Sequence, residues 1–490
     1  MNHKLFSTFP VTSNTQYVTQ GSTFVAIKGM KEDGVDYIPQ AVAAGATTIV
    51  VQHGVQIPPA TEELIREQAI TVMRVADTRL ALAQLSAQAH GHPAQHLKII
   101  GITGTKGKST TTFLLEHILR KTGYKTALLS TVHNKIFDTL YETELTTQQP
   151  DYIHAFLHAC VERGVTHVVM EVAAQALNLH RVATISFDAV MFLNFSHEHG
   201  EFYATQDDYF AAKALLFQQL KPTGIAVAPH GDTRIIDAVK AAGIPEAALR
   251  FFATAPGATA ASLQGITFED HGYQYHASAL VGNFNIQNAR AALHAARWCG
   301  ITPEQIQDAL ATFAPVPGRF NKYELPNGAL AFIDYAHNPS SFEQVFKMVR
   351  PCTKQMIVVF GAGGDRDAAK RPIMGSLASS SADVVFLTTD NPRSEDPAAI
   401  IAAIKAGIPV GTKAQVIIEP DREQAIRQAY ALSGSGSVIL LLGKGPDEYQ
   451  LVKGAKSYFS EREILQSLGA PLSQQGAALC GFTKKLDTVE

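Results

Sequence analysis

Short apolar runs of strand length alternate, along almost the whole chain, with segments whose apolar residues recur at helical spacing. The runs fall at Thr23–Ile27 and Thr47–Val51, at Leu97–Ile102, His167–Val172 and Ala189–Phe195, and at Ala331–Asp334, Met356–Phe360, Val384–Thr388 and Val438–Leu442. Runs without polar alternation read as strands buried on both faces, and strands separated by helical patterns form parallel sheets. The pattern predicts an α/β protein. Helices are expected at Thr110–Lys121, stopped by Gly123 as a C-terminal cap, and at Asp208–Leu220. A chain of 490 residues exceeds what one core supports, and roughly three domains are expected. The strand groups divide it at 1–96, a small α/β domain; at 97–318, a central sheet; and at 319–490, opening after Pro317-Gly318-Arg319. No internal repeat interrupts this order. The final ~20 residues, rich in Gln, Gly and Ser, are expected to be loosely ordered.

Composition narrows the picture by exclusion. A net charge of −3 gives no electrostatic basis for binding nucleic acid or a membrane surface. The opening MNHKLFSTFP has no apolar signal core, and no apolar run approaches the length of a membrane span, so the cytoplasm is the expected location. Cys160, Cys299, Cys352 and Cys480 lie far apart, which points to neither a disulfide framework nor a zinc site.

The polar motifs cluster immediately after the C-terminal ends of apolar strands, the edge at which open α/β sheets bind ligands. Leu97–Ile102 runs into Gly104-Thr105-Lys106-Gly107-Lys108-Ser109 and then into a helix. Glycines let backbone amides approach phosphate oxygens, and the helix N-terminus adds partial positive charge. Lys108 would reach the terminal phosphates and Ser109 would ligate Mg²⁺. The loop is shorter than the general GxxxxGK[ST] pattern, because the residue five before Gly107 is Ile102. Glu171 and His199 follow neighbouring apolar runs and suit a divalent ion, although either alone is more often a structural or surface group. Lys213, inside DYFAAKALLF, would by spacing alone be a solvated helix lysine. A second group, Asp390-Asn391-Pro392-Arg393 with Arg366, could hold a zwitterion: arginine takes carboxylates bidentately, and Asp and Asn receive an ammonium. The competing reading is a turn with a solvated arginine.

GITGTKGKSTTT, MEVAAQAL, FLNFSHEH, DYFAAKALLF, VGNFNIQNARAA, VPGRF, DYAHNPSS and GKGPDEYQ resemble, in this order, the motif series of the Mur ligases. Matching segments run from Gly21 to about Gln450. The resemblance implies three domains: a central P-loop-type parallel-sheet ATPase flanked by a small N-terminal α/β substrate domain and a C-terminal Rossmann-like domain. It implies an ATP-dependent ligase of peptidoglycan synthesis that activates a carboxylate as an acyl phosphate and joins it to an amine. It further implies that Ser109, Glu171 and His199 bind magnesium and that Lys213 is carbamylated by CO₂. Asn288 would meet the adenine and Arg319 the phosphates, with Asp334 and His337 at the nucleotide's other edge.

In the same family DNPR implies meso-diaminopimelate as the added amino acid, with Gly443 and Asp447 at its far end. There the family pattern GKGHE is replaced by Pro446-Asp447. Thr146, Thr147 and Arg181 match positions that hold a UDP-muramoyl dipeptide. The family usually carries Ser where Ala173 stands and Gln where Leu179 stands, and its uridine motif is replaced by Thr12-Ser13-Asn14-Thr15. These departures leave open a related ligase with a different acceptor. A folylpolyglutamate synthase-like ligase is the other alternative; the residues before the loop and the DNPR segment speak against it. A binding module without turnover would not need Lys108, Ser109, Glu171, His199 and Lys213 together. The chain is expected to act as a monomer.

Overall fold

The computed structural model describes residues 5–29, 32–196, 202–254 and 260–471. Its contacts divide into two compact units, one of residues 2–256 with 287–310 and one of 257–286 with 311–490. His199 and Cys480 lie outside the described residues.

The first unit carries two sheets. The smaller is all parallel, in the order Val11–Thr12, Thr23–Val25, Thr48–Gln52, Thr71–Val75. The larger runs Leu249–Phe252, Leu220–Pro229, Phe187–Phe192, Lys98–Thr103, His167–Glu171, Thr126–Leu129, Asn134–Ile136, Thr139–Tyr141. Its first six strands are parallel and the last two extend it antiparallel. Continuous apolar sequence is explained by burial on both faces: Ile99, Val168 and Phe192 on one side and Ile100, Val169 and Met191 on the other are all fully inside. The two sheets are joined by more than chain. Helix Thr78–Ala89 packs on helix Pro150–Glu162, and the ring of Phe6 meets that of Tyr152 edge-on at 5.9 Å. Thr12 donates its hydroxyl to the buried Asp151 carboxylate at 2.7 Å.

Helix Lys108–Lys121 ends as expected, with Gly123 in the left-handed region at φ +94°. The helix expected over Asp208–Leu220 is shorter. It spans Gln206–Ala214, opened by a Thr205–Asp208 capping box, and tightens into a 3₁₀ turn over Leu215–Gln219. Pro222 blocks any return to helix beyond this turn, because its ring would clash with the carbonyl four residues back. The strand Leu220–Pro229 starts there instead.

The second unit is built on a six-stranded sheet in the order Asn321–Glu324, Leu330–Asp334, Ser437–Leu442, Gln355–Phe360, Val384–Leu387, Gln415–Ile418. Only the first strand is antiparallel to its neighbour. Both faces are covered, one core containing Phe332, Phe342 and Val358, the other Ile333, Ile357 and Ile426. The antiparallel meander Ala260–Ser262, Gly265–Asp270, Tyr273–Ala277 belongs to this unit, and Leu263 and Val281 beside it join the first of these cores. Among the described residues no helix is long and apolar enough to cross a membrane.

Candidate active site

The strand Lys98–Thr103 lies between His167–Glu171 and Phe187–Phe192, with Ile102 opposite Glu171 and Thr103 opposite Phe192. Strand order therefore places Glu171 and the turn after Phe192 on either side of the glycine loop. Gly104 and Gly107 take φ of +146° and +84°, conformations open to glycine. A Cβ at Gly107 would collide with Asn288 Oδ1, so Asn288, on helix Asn283–Trp298, sits directly against the loop. Lys108 Nζ donates to Gly104 O at 2.9 Å and Thr105 O at 3.1 Å. Ser109 is buried in the first turn of the helix.

Asn194, which sequence reasoning missed, clamps this loop. Its Oδ1 accepts from Lys106 N at 2.9 Å, its Nδ2 donates to Lys106 O at 3.0 Å, and its carbonyl accepts from Thr105 N at 3.0 Å. Lys213 is not a solvated helix lysine. It is 1% exposed, donates to Gly104 O at 2.9 Å and stands 4.4 Å from the Tyr209 ring centroid. An ammonium taken this far from water requires polar company, and the cradle carbonyl provides part of it.

Glu171 is equally deep, and its surroundings gather the acceptor candidates. Thr131 donates its N–H to Glu171 Oε1 at 2.9 Å and lies 3.0 Å from Oε2 through its hydroxyl. Thr131 and Thr146 hydroxyls are 3.2 Å apart. Thr147 Oγ1 donates to Glu171 O at 2.9 Å and accepts from Ala173 N at 3.0 Å, while Arg181 Nη1 donates to Thr147 O at 2.8 Å. Burial pulls the Arg181 guanidinium below its usual pKa. Thr146, Thr147 and Arg181 thus meet Glu171 in one hydrogen-bonded group. Each Glu171 oxygen retains a lone pair, and Ser196 Oγ, buried beside the loop, has no partner among the described residues. Hard oxygen donors at the edge of a phosphate cradle fit magnesium.

In the second unit, strand Leu330–Asp334 ends in the next group. Asp334 accepts from Phe320 N and Ala336 N, both at 2.8 Å; burial pushes its carboxyl up, and nearby Arg319 opposes that shift. Arg319 Cζ stands 4.8 Å from the Tyr335 ring centroid, and exposed His337 bonds Tyr335 O through Nδ1 at 2.7 Å. The structure brings Arg319, Asp334 and His337 together around Tyr335.

The DNPR segment lies at the C-terminal end of Val384–Leu387 in the same unit. Arg393 takes a left-handed φ of +53°, its N–H bonds Leu451 O at 2.9 Å, and its guanidinium donates to Gly364 O at 2.7 Å. A Cβ at Gly363 would lie 2.8 Å from Arg393 Nη1 and 3.7 Å from Arg366 Cγ, so the two arginines flank that glycine. Arg366 is exposed; Arg393 is tethered, not a solvated turn residue.

Beside them Lys444, completely buried, lies 3.7 Å from Asp390 Oδ1 and donates to Asn391 Oδ1 at 3.3 Å and to Tyr449 O at 2.5 Å. Asn391 Nδ2 in turn donates to Asp447 Oδ2 at 3.3 Å, and a Cβ on Gly443 would sit 2.6 Å from Asp390 Oδ2. Burial pushes the Asp447 carboxyl up and pulls the Lys444 ammonium down; Lys444 opposes the first shift and Asp390 the second. Asp390 and Asp447 face the Lys444 ammonium, and the buried Arg422–Glu461 pair behind it balances itself, so one negative charge is left over next to two guanidinium groups. Lys444 and Thr131 escaped sequence reasoning; each follows an apolar strand, which was the available signal.

Comparison with known proteins finds three family matches in chain order. "Mur ligase family, catalytic domain" covers residues 11–90, "Mur ligase middle domain" 102–296, and "Mur ligase, glutamate ligase domain" 318–445. The chain is 36% identical over 465 residues to the UDP-N-acetylmuramoyl-L-alanyl-D-glutamate–2,6-diaminopimelate ligase of Syntrophomonas wolfei subsp. wolfei, covering 93% of each. It is 36% identical over 467 residues to the enzyme of the same name from Aquifex aeolicus, covering 94% of this chain and 93% of the other. A solved structure of a ligase of that name superposes with a TM-score of 0.63 at 26% identity, over 94% of each chain. The MurF ligase of Thermotoga maritima with ADP shares the fold, with a TM-score of 0.61 at 19% identity over 90% of this chain and 95% of the other.

Proposed function

The chain belongs to the Mur ligase family, and on that premise we propose that it joins meso-diaminopimelate to UDP-N-acetylmuramoyl-L-alanyl-D-glutamate, with ATP as phosphate donor. Amide-bond formation driven by ATP is the activity the family carries. The choice of amino acid rests on one observation: Arg366 and Arg393 flank Gly363 beside the acidic group of Asp390, Asn391 and Asp447. One carboxylate and one ammonium would need fewer charges; a diamino-dicarboxylate uses them all.

In this reading residues 1–96 and the group of Thr146, Thr147 and Arg181 hold the nucleotide-sugar acceptor, residues 97–318 the ATP, and residues 319–490 the incoming amino acid. The cradle amides and Lys108 hold the terminal phosphates while the acceptor carboxylate attacks the γ-phosphorus and ADP leaves. Magnesium held by Ser109, Glu171 and His199 would supply positive charge opposite the phosphate oxygens. Lys213, buried against Gly104, would as a carbamate place an anion there instead of a cation. The free amine, oriented by the acidic group, then attacks the acyl carbon, and phosphate departs. The enzyme acts in the cytoplasm as a monomer.

The test is phosphate release from ATP with purified protein, crossing meso-diaminopimelate, lysine and glutamate with the UDP-muramoyl dipeptide, with folate and with other candidate acceptors. Release confined to diaminopimelate plus the dipeptide is the expected result. Release with folate and glutamate, or only with some other acceptor, would overturn the substrate assignment while leaving the ligase chemistry.

A further inference from the structure

We propose that Thr131 is a positioning residue that couples acceptor binding at Thr146 to metal binding at Glu171. The inference rests on the reading above, in which Glu171 holds magnesium and Thr146 touches the acceptor.

Thr131 stands just beyond the strand Thr126–Leu129, whose Leu129 pairs with Met170 on the strand carrying Glu171. The neighbouring strand therefore delivers Thr131 to the tip of the Glu171 side chain. One residue then engages both carboxylate oxygens, Oε1 through its N–H and Oε2 through its hydroxyl. Two donors on one residue fix the rotation of the carboxylate plane, which a single donor would leave free. Such outer contacts orient a metal ligand before the ion arrives.

The hydroxyl's proton count gives the group a direction. Thr131 Oγ1 is 3.0 Å from Glu171 Oε2 and 3.2 Å from Thr146 Oγ1, but it carries only one proton. The bond to an ionised carboxylate is the stronger and shorter, so that proton points to Glu171. Thr146 must then donate its own proton to Thr131 Oγ1. Protons along the chain all point toward the carboxylate, and the lone pairs of Thr146 remain for a donor on the acceptor. A ligand N–H or O–H placed there polarises both hydroxyls in the same sense and tightens the hold on Glu171.

The turn itself does not need the Thr131 side chain. Ser130 Oγ donates to His133 O at 2.6 Å and accepts from Val132 N at 3.3 Å and His133 N at 3.2 Å, closing the turn without it. The Thr131 hydroxyl is left to Glu171 and Thr146.

The experiment measures Mn²⁺ affinity by the spin resonance of free Mn²⁺, with ADP present, with and without the UDP-muramoyl dipeptide. In the wild type the dipeptide should tighten Mn²⁺ binding. Thr131→Val removes only the hydroxyl and should weaken Mn²⁺ binding roughly 10- to 100-fold, the usual effect of losing a contact behind a metal ligand. It should also abolish the tightening by dipeptide, and Thr131→Ser should restore both. Thr146→Val breaks the chain one hydroxyl earlier and should remove the coupling with a smaller effect on Mn²⁺ alone. Should Thr131→Val fail to fold, Thr131→Ala takes its place, and tightening by dipeptide that survives in Thr146→Val would sink the coupling. Thr131→Val binding Mn²⁺ within about twofold of wild type, with Glu171→Gln weakened, would sink the positioning role. Unchanged Mn²⁺ affinity in Glu171→Gln would instead remove the metal assignment beneath it.

Discussion

Replacing Gly107 by alanine perturbs the phosphate cradle at its least forgiving point. The residue adopts φ +84° and ψ −10°, and an L-residue held left-handed costs about 1–2 kcal/mol. The new methyl also collides with Asn288 Oδ1, and forcing a buried side chain off its rotamer costs about 0.5–1.5 kcal/mol. Together these come to about 1.5–3.5 kcal/mol, or roughly 10- to 400-fold in an affinity. The penalty must appear in one of two places. If the loop keeps its shape, the thermal midpoint falls; if the loop relaxes, ADP binding weakens. Titration calorimetry with ADP and Mg²⁺, alongside thermal unfolding of the same sample, captures both. Gly123→Ala is the control: its φ is +94°, but nothing lies within 4 Å of its Cβ, so it should lose stability and keep ADP affinity. A Gly107→Ala protein matching wild type in both measurements would refute the cradle geometry.

Three further outcomes are expected. Lys213→Ala should lose ligation and regain part of it with added acetate; full activity of that variant in CO₂-depleted buffer would remove the carbamate. Arg393→Ala deletes a charge-assisted donor, worth about 1.5–3 kcal/mol, and should lower kcat/KM for diaminopimelate by that amount with ATP binding unchanged; indifference to the change would reduce DNPR to a turn. Burial lowers His117, His133, His154 and His167 to about 4, below the 6.5 of an exposed histidine, so the unfolded chain takes up protons first. Stability present above about pH 6.5 should therefore be lost as pH falls toward 4, and His154→Gln should lower proton uptake on unfolding by about one; an unchanged pH slope would contradict it.

The strands and the glycine loop were legible because burial on both faces writes itself as unbroken apolar sequence, as in Lys98–Thr103 and Ser437–Leu442. Strand order was not. Nothing local to Glu171 says that its strand abuts the loop's own; only the long-range pairing of Ile102 with Glu171 does. The same limit hid Asn194 and Thr131, short polar residues whose local sequence is that of any turn. Lys213 looked solvated by spacing, and its burial against Gly104 depends on helix placement that periodicity does not encode. Lys444 was overlooked for a different reason. A lysine between two glycines at a strand end suggests a flexible exposed cation, whereas the aromatic rings of Tyr449 and Phe459 stand within 6 Å of its ammonium and water is excluded.

The hydrogen bond from Thr12 to Asp151 spans 139 positions of sequence, and that separation is also an interval of time. At ~5–20 residues per second, a ribosome takes roughly 7–28 s to synthesise the partner after Thr12 has been made. Through that interval Phe6 lacks Tyr152, and helix Thr78–Ala89 lacks the surface of Pro150–Glu162 that covers it. The parallel strands between Val11 and Val75 can pair early and take their own helices on both faces, but the outer side of helix Thr78–Ala89 stays wet until the later helix emerges. During synthesis the first hundred residues thus carry an uncovered helix face that only a segment some sixty residues further on can close.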